Sequence, residues 1–182
     1  TWPNLNHGAT QVAFSSYTFN NYELYRMQSD GSGLSRLTYT PINEYRPVWS
    51  PDNSRIVFYG FETASNAEVY SVNADGSGLT RLTYLSAWDG FPTWSPDGQR
   101  ILFVSDRGGS YQLWTMYPDG SNPMQLTWSL NYPAYPDWSP DGPQIAFNAD
   151  YNDDGWSDLA VINVDGTGLL RSRRGSPRRR SR

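Results

Sequence analysis

Phe91-Pro92-Thr93-Trp94-Ser95-Pro96-Asp97-Gly98-Gln99-Arg100-Ile101-Leu102-Phe103 decides the fold, because the chain repeats it. The WSPD core stands again at Trp49 to Asp52 and at Trp138 to Asp141, so the tryptophans are spaced 94 − 49 = 45 and 138 − 94 = 44. A period in the forties marks stacked supersecondary units, none able to bury its apolar face alone. Other landmarks keep the period: Phe14, Phe58, Phe103 and Phe147 in the apolar run, and Asp-Gly pairs at Asp30, Asp75, Asp119 and Asp165. Four copies fill the chain, the first with only Thr1-Trp2-Pro3 as its lead-in.

Each copy reads as four short strands. The approach to WSP, as in Tyr45-Arg46-Pro47-Val48-Trp49, is the first, and a Pro within it suits an edge. Ser-Pro-Asp-Gly then turns the chain: Pro presets φ and Gly accepts a positive φ, with Asn53 replacing Gly in the second copy. The apolar second strand is Gln11 to Phe14, Arg55 to Phe58, Arg100 to Phe103 and Gln144 to Phe147. The third is Glu23 to Met27, Glu68 to Val72, Gln112 to Met116 and Asp158 to Ile162; Asp-Gly ends it, and a fourth strand carries Leu37-Thr38, Leu82-Thr83 and Leu126-Thr127. Four antiparallel strands at this repeat length describe a propeller blade, so the fold class is all-β. The blades lie near residues 1–43, 44–88, 89–132 and 133–170, with an Arg-rich tail at 171–182.

Composition agrees. Across 182 residues, 15% aromatics with 16 Gly and 13 Pro suit short strands and tight turns rather than helices. With no cysteine, disulfides and thiolate metal sites are excluded. No apolar run approaches the ~20 residues that span a bilayer. The chain begins at Thr1 without Met, which fits a processed product, and a secreted origin is the expectation.

WSPDG, an apolar strand ending in F-x-S, an aromatic third strand, DGS and LT together resemble the TolB-type, WD40-like propeller repeat, over roughly residues 2 to 170. The resemblance implies a β-propeller of four four-stranded blades. Members serve as periplasmic scaffolds, gating domains of peptidases and extracellular modules, so fold alone does not assign function. TolB itself resembles a six-bladed propeller with an extra domain. Four copies imply either a small ring closed on itself or half of a larger ring.

The fourth copy inserts Asp150-Tyr151-Asn152-Asp153-Asp154-Gly155-Trp156-Ser157-Asp158 between its second and third strands. Carboxylates and an amide at alternate positions set hard oxygen ligands on one side of a tight loop, and Gly permits the bend; this suits calcium. The loop resembles the calcium loops of integrin-type propeller repeats. That likeness makes Asp150, Asn152, Asp154 and Asp158 side-chain ligands and Trp156 a backbone-carbonyl ligand, with Asp153 outward.

Other positions are read more plainly. Glu23, Glu68, Gln112 and Asp158 share one third-strand position and are expected to hydrogen-bond neighbouring strands. Glu44 and Asp89 precede the first strands' prolines and are expected to edge the central tunnel as partner contacts; the fourth copy has Pro133 there. Trp49, Trp94 and Trp138 are expected between blades rather than stacked on sugars. The single His7 has no partner pair, and neither a G-x-S-x-G elbow nor a phosphate-cradling loop is present. The expectation is that the chain is not an enzyme.

All 14 basic residues are Arg, and residues 1 to 170 carry 7 of them against all 18 acids, a formal 7 − 18 = −11. The tail holds the rest, including Arg173, Arg174, Arg178, Arg179 and Arg180, which are expected to grip the acidic face of another copy. Nucleic acid or an anionic polymer is a partner only through this tail. The functional expectation is a secreted, calcium-binding propeller that self-associates as a structural subunit of an extracellular assembly, a homo-oligomer or polymer. The alternative is a TolB-like periplasmic adaptor that binds a protein at the tunnel mouth.

Overall fold

A computed structural model of the chain describes residues 2–18, 20–63, 65–150 and 157–172. Four meanders follow one another. The first pairs β1 (Asn4–Leu5), β2 (Gln11–Thr18), β3 (Asn21–Gln28) and β4 (Ser35–Arg36). The second pairs β5 (Asn43–Trp49), β6 (Arg55–Phe61), β7 (Ala67–Asn73) and β8 (Thr80–Arg81), and the third β9 (Asp89–Trp94), β10 (Ile101–Ser105), β11 (Gln112–Met116) and β12 (Met124–Gln125). The fourth pairs β13 (Ala134–Trp138), β14 (Gln144–Ala149), β15 (Asp158–Asn163) and β16 (Leu170–Arg171). All pairings are antiparallel and in sequence order. Among the described residues there is no helix, hence none able to cross a membrane.

The turns are built by their own side chains. Ser95 Oγ accepts the Arg100 N–H at 2.9 Å and donates to Asp97 Oδ1 at 2.6 Å, while Asp97 takes the Gln99 N–H at 3.0 Å. Ser50, Asp52 and Ser54 repeat the arrangement, with Asn53 at φ 61° doing the work of a glycine. At the β7–β8 and equivalent corners the Asp of Asp-Gly accepts the hydroxyl and the N–H of the residue two positions on, which holds Asp30, Asp75, Asp119 and Asp165 below the usual carboxylate range.

Apolar faces meet between sheets, not within them. Ala13, Leu24 and Leu37 pack on Trp49, Ile56, Phe58, Tyr70 and Val72. Val57, Val69 and Leu82 pack on Trp94, Ile101, Phe103 and Met116; Leu102, Leu113 and Leu126 pack on Ile145, Phe147, Ala160 and Ile162. Each seam thus sets a small donor face of one sheet against a ring-bearing receiving face of the next. Phe58, Phe103 and Phe147 are fully buried, each contributing about 1.5–3 kcal/mol of apolar transfer. Trp49 and Trp94 lie buried in these seams and Trp138 packs beside the third, as expected from their period.

Within each of the first three copies, a polar layer ties the third strand to the outer strand and the connection after it. Thr83 Oγ1 accepts the Val69 N–H at 2.9 Å and donates to Glu68 Oε2 at 2.6 Å, and Arg81 Nη2 donates to Glu68 Oε1 at 2.6 Å. Arg36 and Thr40 hold Glu23 likewise, and Gln112 exchanges two 3.2 Å hydrogen bonds with the Leu130 backbone. The Leu-Thr pairs stand just beyond the short outer strands they were expected to form, because threonine answers the third strand with its hydroxyl rather than its backbone. The fourth copy keeps its outer strand despite its altered sequence: the Ser172 N–H donates to Leu159 O at 2.8 Å and Ser172 Oγ accepts the Leu159 N–H at 3.1 Å.

Packing joins the sheets in succession, β2 and β3 to β5, β6 and β7 to β9, and β9 and β10 to β13. Among the described residues no comparable strand packing joins the fourth sheet to the first.

Candidate functional site

The innermost strands carry a repeated irregularity. Arg46, Phe91 and Tyr135 each precede a proline, and each has a positive φ, 54°, 53° and 53°. The register slips at the same places, between Tyr45 and Val48, opposite Leu102 to Val104, and between Ala134 and Asp137. Proline has no N–H for the ladder, so each strand bulges there. A bulky residue before proline favours extended backbone, and a positive φ at such a residue costs on the order of 1–3 kcal/mol.

The strain makes three side chains from three sheets converge. The Arg46 guanidinium carbon lies 4.4 Å from the Tyr135 ring centre and 5.2 Å from that of Phe91, and those rings are 4.7 Å apart. Tyr59 and Trp88 extend the wall, with ring contacts of 5.6 Å and 5.2 Å to Phe91. On the other flank Tyr45 meets Tyr59, Tyr22 and Trp2, the residue before Pro3 in the first copy. Burial lowers the Arg46 pKa, against the pull of Tyr59, Tyr135 and Asp137, and pushes Tyr59 up to about 12. The Arg46 Nη1 is buried and has no hydrogen-bond partner. A cation held over aromatic faces with an unused donor is chemically suited to an incoming oxygen acceptor, a carboxylate above all.

Further along the same strands, a cavity of about 290 Å³ is lined from all four sheets, by Asn4, His7, Trp49, Thr93, Trp94 and Asp137 among others. The N-terminal segment is tied to the second sheet there: the Trp49 N–H donates to Asn4 Oδ1 at 3.0 Å, and the Asn53 side chain exchanges two 2.8 Å bonds with the His7 backbone. A second concavity, about 770 Å³, opens at the turns between the third and fourth sheets, against about 250 Å³ at the turns between the second and third. In the smaller one Arg55 reaches Ser71 Oγ at 2.6 Å; its counterpart Arg100 instead lies 4.1 Å over Tyr117 and leaves the space clear.

The sequence-derived positions are placed as follows. Glu44 and Asp89 do not edge an open mouth; both are fully buried in the seams, where no partner reaches them. Glu44 receives Thr38 Oγ1, Thr40 Oγ1 at 2.8 Å and the Leu24 N–H at 3.2 Å, and burial pushes its pKa up to about 7. Asp89 is ion-paired to Arg107 at 2.7 Å and is also raised by burial. Asp150 and Asp158 stand at the open end of the β14–β15 ladder, where Ala149 faces Asp158. Asn152, Asp154 and Trp156 lie outside the described residues, as do Arg173, Arg174, Arg178, Arg179 and Arg180. Among the described residues no three acids or histidines gather to hold a metal. Reading by residue type missed the Arg46, Phe91 and Tyr135 cluster, although Pro3, Pro47, Pro92 and Pro136 recur at one repeat position and signal it.

Residues 59–172, more than half of the chain, match the TolB beta propeller domain, PD40. The chain belongs to this family. Comparison with curated proteins gives no match. Among solved structures, a TolB from Agrobacterium tumefaciens is 26% identical with a TM-score of 0.81 over 92% of this chain and 62% of its own. TolB from Acinetobacter baumannii is 21% identical, TM-score 0.79, over 94% of this chain and 42% of its own. This TolB-type chain therefore spans less than two thirds of either protein. An oligogalacturonate lyase in complex with manganese shares the fold at 19% identity and TM-score 0.71, over 93% of this chain and 51% of its own. That finding corrects the expectation that the chain is not an enzyme: the same sheets are carried by enzymes, so neither the fold nor a missing motif excludes catalysis.

Proposed function

We propose that this TolB-type propeller is a protein-interaction scaffold that receives an extended, acidic segment of a partner at the aromatic cluster where β5, β9 and β13 converge. The observation that carries this is Arg46, strained, packed over the rings of both Phe91 and Tyr135 and left with a buried, unanswered donor. A carboxylate arriving there satisfies that donor in surroundings that strengthen the pair. The rings add apolar contact of the kind that dominates interface hot spots. Capped acidic and basic hexapeptides, followed by the fluorescence of the tryptophans beside the site, test it. The acidic peptide binds the native chain and loses at least about tenfold in affinity to Arg46→Met, which keeps the aliphatic length, equivalent to about 1.4 kcal/mol. Equal binding of both peptides, or no loss in Arg46→Met, refutes it.

A second reading is self-association into an assembly outside the cell or in the periplasm. It is favoured by the opposite charges of the acidic body, residues 1 to 170, and the Arg-rich tail. In this reading the Arg-rich tail meets the acidic body of another copy. Calcium belongs to it as a proposal as well: Asp150 and Asp158 flank the mouth of the hairpin whose loop holds the remaining oxygen ligands. Saturating calcium at about a hundred times its dissociation constant then stabilises the fold by about 2.7 kcal/mol. A melting temperature unchanged between calcium and chelator removes the calcium proposal.

A further inference from the structure

We infer that the concavity between the third and fourth sheets is a second binding site, which takes the arginine side chain of a basic segment on a partner protein. It is separate from the Arg46 cluster and does not rest on the reading given to that cluster.

Repeat equivalence supplies the argument. In the first two copies the ring that follows the Leu-Thr pair is covered by the molecule's own arginine: the Arg36 guanidinium carbon lies 4.2 Å from the Tyr39 ring centre, and that of Arg81 lies 4.9 Å from the Tyr84 ring centre. In the third copy the ring is Trp128 and the residue in place of the arginine is Gln125. The Gln125 amide keeps one bond of its counterparts, donating to Thr127 O at 2.6 Å as Arg36 Nε donates to Thr38 O at 2.7 Å. It has no charge to set over the ring, and Trp128 is 70% exposed. The fold does not call for that charge, because the acids paired with Arg36 and Arg81, Glu23 and Glu68, are replaced by Gln112.

A second ring of the same concavity has lost its cation by a different substitution. Across the second seam the Arg55 guanidinium carbon stands 6.0 Å from the Trp94 ring centre, with Arg55 held by Ser71. In the third seam the counterpart Arg100 is turned onto Tyr117, and among the described residues no guanidinium stands over Trp138, the counterpart of Trp94. Trp128 and Trp138 both line the concavity, and tryptophan offers a cation the best of the aromatic faces. Asp97, Asp141 and Asp165 line it as well, against the single guanidinium of Arg100. Hydrogen bonds from Ser95 and Thr167 hold Asp97 and Asp165 below the usual carboxylate range, so both are anionic at neutral pH. Uncovered indoles beside a surplus of carboxylates suit a flat cation: guanidinium stacks on rings and forks onto carboxylates, whereas an ammonium is compact and strongly hydrated. The exposed Met124 and Val164 offer apolar surface to an aliphatic stem. The walls come from the face that the fourth sheet turns to the third. The matching concavity of the second seam stays open with the fourth sheet packed behind it, so a sheet behind the fourth leaves this one open too.

Calorimetric titration of the full chain with a capped Gly-Arg-Gly-Arg-Gly peptide tests it, beside the same peptide carrying citrulline or lysine for arginine. The arginine peptide binds; citrulline, which keeps the plane without the charge, loses at least about tenfold, and lysine at least about threefold. Trp128→Ala weakens the arginine peptide by about three- to tenfold, the range a cation–ring contact supplies. Gln125→Arg gives the third copy the guanidinium that covers Tyr39 and Tyr84, and it costs the peptide at least about tenfold while the circular dichroism spectrum stays native. With the site filled from within by Gln125→Arg, acidic and basic peptides report the Arg46 site alone, and Arg46→Met leaves the arginine-peptide affinity unchanged; the two readings therefore fail separately. Equal binding of the arginine and citrulline peptides, no binding, or an affinity unmoved by Trp128→Ala and Gln125→Arg overturns the inference. N-acetyl-arginine methylamide that binds as tightly as the peptide overturns the protein partner, because the concavity then serves a free small guanidine.

Discussion

Replacing Gly120 by alanine, with Gly31→Ala as its control, isolates what one sheet gains by lying on the next. The two glycines have nearly the same backbone, φ +85° and +87°, so each alanine meets the same left-handed strain, about 1–2 kcal/mol. Only Gly120 faces a neighbour: its added methyl lies 2.6 Å from the Leu82 carbonyl oxygen and 3.1 Å from Leu82 Cα. These are backbone atoms, held by the Leu82 N–H bond to Val69 O at 2.8 Å, and they cannot rotate away. The third sheet must therefore back off from the second, and forced overpacking of this kind costs typically ~1–3 kcal/mol. Gly120→Ala thus loses about 2–5 kcal/mol and Gly31→Ala about 1–2. At roughly 2–4 °C per kcal/mol for a chain of this size, the two melting temperatures separate by several degrees. Thermal unfolding followed by circular dichroism reads the difference. Equal losses in the two variants refute the claim that the corner glycines are sites of close contact between sheets.

Glu44, pushed up to about 7 by burial, prefers to fold protonated. Its contribution is full below the unfolded value near 4.5 and is lost as pH rises through 7, a difference of about 3 kcal/mol. Glu44→Gln flattens that part of the pH–stability curve, and a native curve with no fall between pH 5 and 8 relative to the variant contradicts the assignment. Thr83→Val keeps the shape but takes the hydroxyl from Glu68 Oε2 and from the buried Val69 N–H. It costs about 1–3 kcal/mol in urea unfolding, and a loss below about 0.5 kcal/mol denies the hydroxyl its bridging role. Trp94→Ala empties the second seam and costs about 3–5 kcal/mol, whereas exposed Trp128→Ala changes stability by less than about 0.5 kcal/mol.

The fold was legible because its determinants are local and repeated. Ser95, Pro96, Asp97 and Gly98 close their turn with their own atoms, so three appearances of this turn, with Phe and Asp-Gly landmarks that recur four times at the same spacing, suffice to count the sheets. The burial of the tryptophans followed from the period as well. The candidate site was not legible for the opposite reason. Local rules put Arg46, Phe91 and Tyr135 in extended backbone, because each precedes a proline. Only the pairing of β5, β9 and β13 with their neighbours forces the bulge and the positive φ. Arg46 meets Phe91 and Tyr135 from 45 and 89 residues away, distances at which residue type says nothing of contact. Glu44 and Asp89 misled in a related way. Unpaired acids belong at a surface, and these two are acceptable inside only because Thr38 and Thr40, from the connection after β4, and Arg107, from the turn after β10, answer them.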